Sequence, residues 1–249
     1  MAATMQVRGL IARETVQGEQ DKRLILICVD QGRVYVSAKG AKKQGARLSS
    51  STQLFTYGDF WLNHARSGWI LQEAVPIEQF YPIRQDPEQM AWASWMLETA
   101  LELTVEEQEC NEMLRLLLRG LQMITEESLS PMTTATTFVL RALASTGVRP
   151  ETERCVSNGE RAEDPAYLSV EAGGLLCTDC ARHYADAVRI QPGTLYALRY
   201  VLNADDSAVY KYQVEPRIRS ELFEFAARFL TQYLQREVRT LRYIRECFC

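Results

Sequence analysis

The sequence predicts an α+β chain: a small closed β-barrel, then an α-helical bundle, with a compact cysteine-bearing insertion in the second part. Three observations predict it. Residues 5–75 alternate apolar and polar residues at period two between turn signals. After Pro76 the apolar spacing turns helical. Residues 151–190 then interrupt the helices with a polar, glycine-containing stretch that carries three cysteines. The expected domains are 1–80 and 81–249, with the insertion at about 151–190.

Five short strands are expected, over residues 6–13, 22–30, 33–39, 54–64 and 69–75. Turns separate several of them at Gln17-Gly18-Glu19, Asp30-Gln31-Gly32 and Arg66-Ser67-Gly68. Five strands in so short a chain suit a closed sheet, because closure removes exposed strand edges. An OB-fold has that strand count and binds oligonucleotides on one face; an SH3-like barrel fits the pattern nearly as well. The segment from Gly32 to Lys43 carries the most information. Val34 and Val36 mark a buried strand face, and Lys39, Lys42 and Lys43 follow in a glycine-punctuated turn, with Arg47 beyond. Four cations on one exposed loop form a phosphate-contact site or a solvated loop. Tyr35, Tyr57, Phe60 and Trp61 are aromatics that could stack on bases, and half of them must point into the barrel.

Helices follow. Asp86 caps one that opens on Pro87 and carries Trp92 and Trp95. A second, over 111–125, is apolar nearly all round and is expected at the centre of the bundle. A third covers 131–145, with Gly147 placed to end it. Helix returns over 191–203, and a long amphipathic helix is expected over 218–246. On that last helix Leu222, Ala226, Phe229, Leu230, Tyr233 and Ile244 share one side. Arg228, Arg239 and Arg242 share the other, as a solvated face or as a contact for an acidic partner.

Charge is divided unevenly. The chain total is −4. Residues 1–80 hold ten Lys and Arg against seven Asp and Glu, whereas 81–249 hold 18 against 25. The barrel therefore carries the cationic surface, and local field decides steering. No apolar run approaches the roughly 20 residues of a membrane span, and no leader pattern opens the chain. A cytoplasmic, nucleoid-associated protein with no membrane contact is expected. The odd count of seven cysteines suits a reducing compartment. Cys28 reads as a small buried hydrophobe.

The insertion pairs Cys155-Val156-Ser157-Asn158 with Cys177-Thr178-Asp179-Cys180. Two Cys-x-x-Cys knuckles would close a tetrahedral site. Here Asn158 stands where the fourth cysteine is expected, and asparagine is a poor zinc ligand. Three readings stand open: zinc on Cys155, Cys177 and Cys180 with His183 or water, a metal-free finger held by packing, or a thiol enzyme built on Cys177, Cys180 and His183. No phosphate loop and no nucleophile elbow is present.

Taken in order, these motifs resemble the bacterial RecO family of recombination mediators. Gly9-Leu10-Ile11-Ala12 with Gly18-Glu19-Gln20-Asp21-Lys22, the Gly32–Lys43 segment with Leu48, Leu54 and Phe55, and Gly173-Gly174-Leu175-Leu176-Cys177 after Arg154-Cys155 carry the resemblance. It implies an N-terminal OB-fold, a helical bundle and an inserted zinc finger, with no catalytic residues. It also implies binding of single- and double-stranded DNA, strand annealing, and RecA loading, with RecR and the acidic tail of single-strand-binding protein as partners. RecA contact would be indirect. Expected DNA contacts are Arg33, Lys39, Lys42, Lys43 and Arg47. Cations for the acidic tail would come from Arg141, Arg228, Arg239 and Arg242. The departure at Asn158 bears on the metal, not on the fold. A second class of reading is an OB-like scaffold that binds protein and not nucleic acid.

Overall fold

The computed structural model describes residues 4–43, 47–162 and 164–249, with only the backbone of Arg47. They form two compact units, residues 1–90 with 100–125, and residues 91–99 with 126–249.

The first unit is built on a closed barrel of β1 (Thr4–Gln17), β2 (Asp21–Cys28), β3 (Gly32–Ala38), β4 (Tyr57–Ala65) and β5 (Gly68–Glu78). The strand order is β1-β2-β3-β5-β4, and β4 pairs back on β1. The β3–β5 pairing is parallel and closes the barrel. Leu24 pairs with Val36 and Leu26 with Val34, so both strands send the same alternate residues inward. Val7, Ile11, Phe60, Leu62 and Leu71 fill the space between them. Cys28 is buried in that core, as its apolar surroundings suggested, and burial pushes its thiol pKa up.

Sequence alternation overstated the fourth strand. Residues 47–51 form a short helix, α1 (Arg47–Ser51), and β4 begins only at Tyr57. Between them Phe55 takes a left-handed backbone at φ 67° yet is fully buried. Burial of its ring outweighs the backbone cost there, which no local pattern signals.

A 3₁₀ turn (Tyr81–Gln85) leads into α2 (Pro87–Leu103). Asp86 caps α2 as expected, accepting from the N–H groups of Glu88 and Gln89. The next helix, α3 (Asn111–Thr125), corrects the expectation of a central, all-round buried element. It buries one stripe, Met113, Leu114, Leu117, Leu121 and Ile124, and packs with β2 and the 3₁₀ turn. Arg115 and Gln122 are exposed on its far side. Leucines at intermediate positions made the sequence look more uniformly buried than the helix is.

In the second unit the central element is α4 (Pro131–Ser145), buried without a break from Thr133 to Leu140. Its Thr-Thr-Ala-Thr-Thr run hides this from a hydrophobicity reading. Two of the four hydroxyls are bonded, Thr133 with Ser130 and Thr137 with the Thr133 carbonyl and Tyr212, while those of Thr134 and Thr136 are buried with no partner among the described residues. Around α4 pack α6 (Pro192–Asn203) and α7 (Pro216–Leu234). Trp92 and Trp95 are fully buried in this unit against Phe223.

The long final helix of the sequence reading is two helices. Gln235 adopts φ 55°, and the N–H of Arg236 turns back to the Thr231 carbonyl, which ends α7. α8 (Arg239–Phe248) then starts afresh. No glycine or proline marks the break, so Arg228 does not share a helix face with Arg239 and Arg242.

The insertion is a three-stranded sheet of β6 (Ala166–Ser169), β7 (Gly174–Leu176) and β8 (Val188–Ile190), ordered β7-β6-β8, with a single-turn α5 (Thr178–Ala181). Asp186 ties it together. Its carboxylate accepts from Ser169 Oγ and from the N–H groups of Val170 (2.7 Å) and Glu171 (3.1 Å), and it pairs with Arg228 at 3.2 Å. Burial works to raise the Asp186 pKa, but the Ser169 and backbone donors outweigh it, and the net shift is downward. A depressed carboxyl stabilises the fold above the unfolded pKa of about 3.9 and stops doing so as pH falls through the folded value. Acid unfolding followed by circular dichroism is therefore expected to begin below about pH 4, with a shallower acid limb in Asp186→Asn. An identical acid midpoint in the two proteins would remove Asp186 from this role.

Candidate nucleic-acid interface

The outward residues of β2 and β3 alternate with the barrel core. Register places Arg23 opposite Ser37, Ile25 opposite Tyr35, and Ile27 opposite Arg33. Parallel pairing of Val36 with Trp69 brings the β4–β5 turn alongside. The result is a groove of about 390 Å³ lined by Arg23, Arg33, Tyr35, Ser67, Gly68 and Trp69, among others. Tyr35 is 42% exposed, and Trp69 makes an edge-on contact with the exposed His64, ring centroids 4.9 Å apart. A cation-and-aromatic groove on this face and its β4–β5 turn is the arrangement by which OB-type barrels take single strands. Glu106 and Glu107 form one wall, so a polyanion would be directed towards the β4–β5 side.

Of the four aromatics singled out from sequence, Phe60 points inward, Tyr57 and Trp61 are half-buried, and Tyr35 faces the groove. Arg23 and Trp69 were missed. Their strands were recognised, but only closure of β3 on β5 shows that they share a groove.

Arg33 is less free than a surface cation. Its Nη1 donates to the Leu101 carbonyl at 3.1 Å. A carbonyl satisfies one donor without neutralising the charge, so Arg33 contributes field to the groove from a fixed position.

Lys39, Lys42 and Lys43 are all exposed. Their turn is pinned at the backbone. The Gly40 N–H donates to Asp21 at 2.8 Å, Lys42 N–H to the Gln20 carbonyl at 2.9 Å, and Lys43 N–H to the Gly40 carbonyl at 3.0 Å. Three cations are thus presented from a fixed turn beside the β1–β2 turn. Arg47 opens α1, and its side chain lies outside the described residues.

Two family models match the chain. One, described as the recombination protein O N-terminal domain, matches residues 1–80; the other, the recombination protein O C-terminal domain, matches residues 84–242. The chain belongs to the RecO family. It is 27% identical to the DNA repair protein RecO of Acetivibrio thermocellus over 97% of this chain and 96% of that protein. It is 28% identical to DNA repair protein RecO of Alkaliphilus metalliredigens, covering 93% and 94%. It is 29% identical to that of Bifidobacterium longum NCC 2705, covering 95% and 96%. The OB-like barrel is the part matched by the RecO N-terminal model. Among the described residues, no helix is long and apolar enough to cross a membrane.

The RecO resemblance also implies zinc in the insertion. Cys155, Cys177 and Cys180 bring their sulfurs within 4.8 Å of one another. His183 does not join them; its side chain is exposed. Asn158 occupies the expected fourth corner. Its amide nitrogen lies 3.6 Å from Cys177 Sγ, while its oxygen accepts from the Glu160 N–H. A donor faces the thiols there, not a lone pair. Three thiolates fit zinc as three protein ligands, leaving the fourth position to a small exogenous ligand. Burial would raise the Cys155 pKa, but N–H groups of Cys177, Asn158 and Ser157 outweigh it and hold the thiol below its ordinary value. Cys180, donating towards Cys177, is pushed up to about 12. Of Cys155 and Cys180, the one favoured as thiolate is the buried Cys155, and Cys180 is the opposite of an activated nucleophile. This counts against the thiol-enzyme reading.

The four arginines suggested for an acidic tail are dispersed. Arg141 pairs with Asp206 at 2.7 Å, Arg228 with Asp186, and Arg242 with Glu237 at 3.7 Å; Arg239 is exposed at the start of α8.

Proposed function

We propose that this chain is a DNA repair and recombination mediator that binds single- and double-stranded DNA without sequence preference and anneals complementary strands. The observation that carries the reading is the pinned lysine turn beside a cation-and-aromatic groove on the barrel. Phosphate contacts by Lys39, Lys42, Lys43 and Arg47 neutralise charge so that two polyanions can approach. Such contacts carry no sequence information. Arg33, Tyr35 and Trp69 add a fixed cation and stacking faces in the groove. No bond is made or broken by the chain in this scheme. The names of its relatives, DNA repair protein RecO, support the same reading.

With RecR as partner, the chain would assist RecA loading on strands coated by single-strand-binding protein, whose acidic tail it would also bind. Arg141, Arg228, Arg239 and Arg242 remain the proposed cations for that tail. Arg239 and Arg242 are the more available pair, because Arg141 and Arg228 already serve well-placed carboxylates. Zinc, held by Cys155, Cys177 and Cys180, would stabilise the insertion and take no part in DNA chemistry.

A salt titration with a single-stranded oligonucleotide tests the reading. Each phosphate contact on a single strand contributes about 0.7 to the slope of log K against log salt. Replacing Lys39, Lys42 and Lys43 with alanine is expected to flatten the slope by about two. An absence of binding by the parent protein even at low salt would favour the protein-scaffold alternative.

A further inference from the structure

A second concave cationic site lies in the insertion and its surroundings, on residues given no DNA-contact or partner role above. Arg154, Arg161 and Arg199, with Glu153 and Ala162, line a cavity of about 400 Å³. Among the described residues of that lining, three guanidiniums stand against one carboxylate, which gives the described lining a positive excess. Two of the three are held by neutral carbonyls. Arg154 Nη1 donates to the Gly159 carbonyl at 3.1 Å, and Arg199 Nε donates to the Thr152 carbonyl at 2.9 Å. Glu153 approaches Arg199 at 3.6 Å and offsets part of its charge. Fixing an arginine on a carbonyl orients the planar fork while its remaining N–H groups stay available for a ligand.

The backbone around the cavity is equally fixed. The Glu151 carboxylate accepts the N–H groups of Glu153 and Arg154. The knuckle that supplies the Gly159 carbonyl is closed by Gly159 N–H to the Cys155 carbonyl and Cys155 N–H to the Glu160 carbonyl, both 2.8 Å. The cavity is therefore built on the same turn that presents Cys155.

The chemistry of the lining selects the ligand. Among the described lining residues, Ala162 is the one that contributes an apolar side chain, a poor seat for the hydrophobic residue of an acidic peptide. A group that is all charge and acceptor oxygen fits, and arginine forks match phosphate oxygens in pairs. We propose that Arg154, Arg161 and Arg199 form a second phosphate site for the DNA backbone, independent of the lysine turn. The proposal rests on the DNA-binding reading above. It gives an annealing protein two polyanion sites on one chain.

The test uses the full chain and labelled single-stranded oligothymidine. Arg154→Ala with Arg161→Ala is expected to lower the salt slope by about 1.4, two contacts at about 0.7 each, and to slow annealing of complementary strands. Arg154→Lys with Arg161→Lys should recover most of the slope, because the charge is kept. If the parent protein binds no DNA at low salt, the DNA-binding reading itself fails. If the parent binds and the double alanine variant keeps its slope and affinity, the pocket proposal alone is overturned. Guanidinium Nε–H resonances of the unsubstituted protein give a readout that needs no variant. Oligothymidine should shift those of Arg154, Arg161 and Arg199. Shifts produced by inorganic phosphate alone, or by an acidic peptide alone, with none from oligothymidine, would reject the DNA backbone as the ligand.

Discussion

Gly32→Val is expected to cost the first unit more than about 4 kcal/mol, a large share of the roughly 5–15 kcal/mol that holds an ordinary domain folded. Gly32 closes the β2–β3 turn at φ +60°, where a β-branched residue is strained. The larger effect is contact. A Cβ at this position would lie 1.9 Å from the Val105 carbonyl oxygen and 2.6 Å from that of Gln108. Both atoms are backbone and cannot rotate away. The turn is tied to that segment by Arg33 N–H to the Val105 carbonyl (3.2 Å) and Glu107 N–H to the Gln31 carbonyl (2.9 Å). Separating them forfeits two hydrogen bonds at about 1 kcal/mol each, besides the strain. Gly18→Val is the control. Gly18 has nearly the same φ, +63°, but nothing lies within 4 Å of its added Cβ. Its cost should be the backbone term alone, about 1–2 kcal/mol. Urea denaturation of both variants measures the difference. Equal midpoints would mean that the turn does not dock on residues 105–108. Gly32→Val should also weaken DNA binding, because displacing the turn moves Arg33 from its place in the groove.

Trp95→Ala is expected to cost the second unit about 3–5 kcal/mol. The indole is fully buried and meets Phe223 edge-on at 5.6 Å and Trp92 at 6.0 Å, while Trp92 meets Phe223 at 5.2 Å. Removing one ring of the three empties a volume that two rigid rings cannot fill. The indole N–H groups of Trp92 and Trp95 find no acceptor among the described residues. Trp95→Phe should therefore be much milder, since loss of an unsatisfied N–H offsets part of the lost packing. Denaturation followed by far-ultraviolet circular dichroism compares the two. A phenylalanine variant less stable than the alanine variant would contradict the packing argument.

Part of this site was legible without coordinates because it is encoded locally. The exposure of Lys39, Lys42 and Lys43 follows from charge and glycine in a turn. The Cys155, Cys177 and Cys180 cluster follows from knuckle spacing. The Asp86 cap follows from its chemistry and from Pro87. Other features were not legible because they depend on which surfaces meet. His183 has permissive spacing, yet the turn after Cys180 leaves it in solvent and puts Asn158 beside the thiols. Arg33 reads as a surface cation until its strand end docks and a helix-end carbonyl takes one of its donors.

The sequence by itself determined the inward positions of Val34, Val36 and Cys28, the change from strands to helices near residue 80, the insertion and the family. Those depend on period, turn chemistry and motif order, all properties of short stretches. Only the tertiary structure decided that α4 and not α3 is the buried helix, that the chain breaks at Gln235, and that Arg23 and Trp69 share a groove. It also brought Arg199 to Arg154 across 45 residues to make the anion pocket. The reason is physical. A hydrophobic pattern states which side of an element leaves water, but the partner that covers it is chosen by long-range packing. The buried threonines of α4 and the parallel β3–β5 pairing follow from such packing, whereas the break at Gln235 is held by local bonds that no glycine or proline announces.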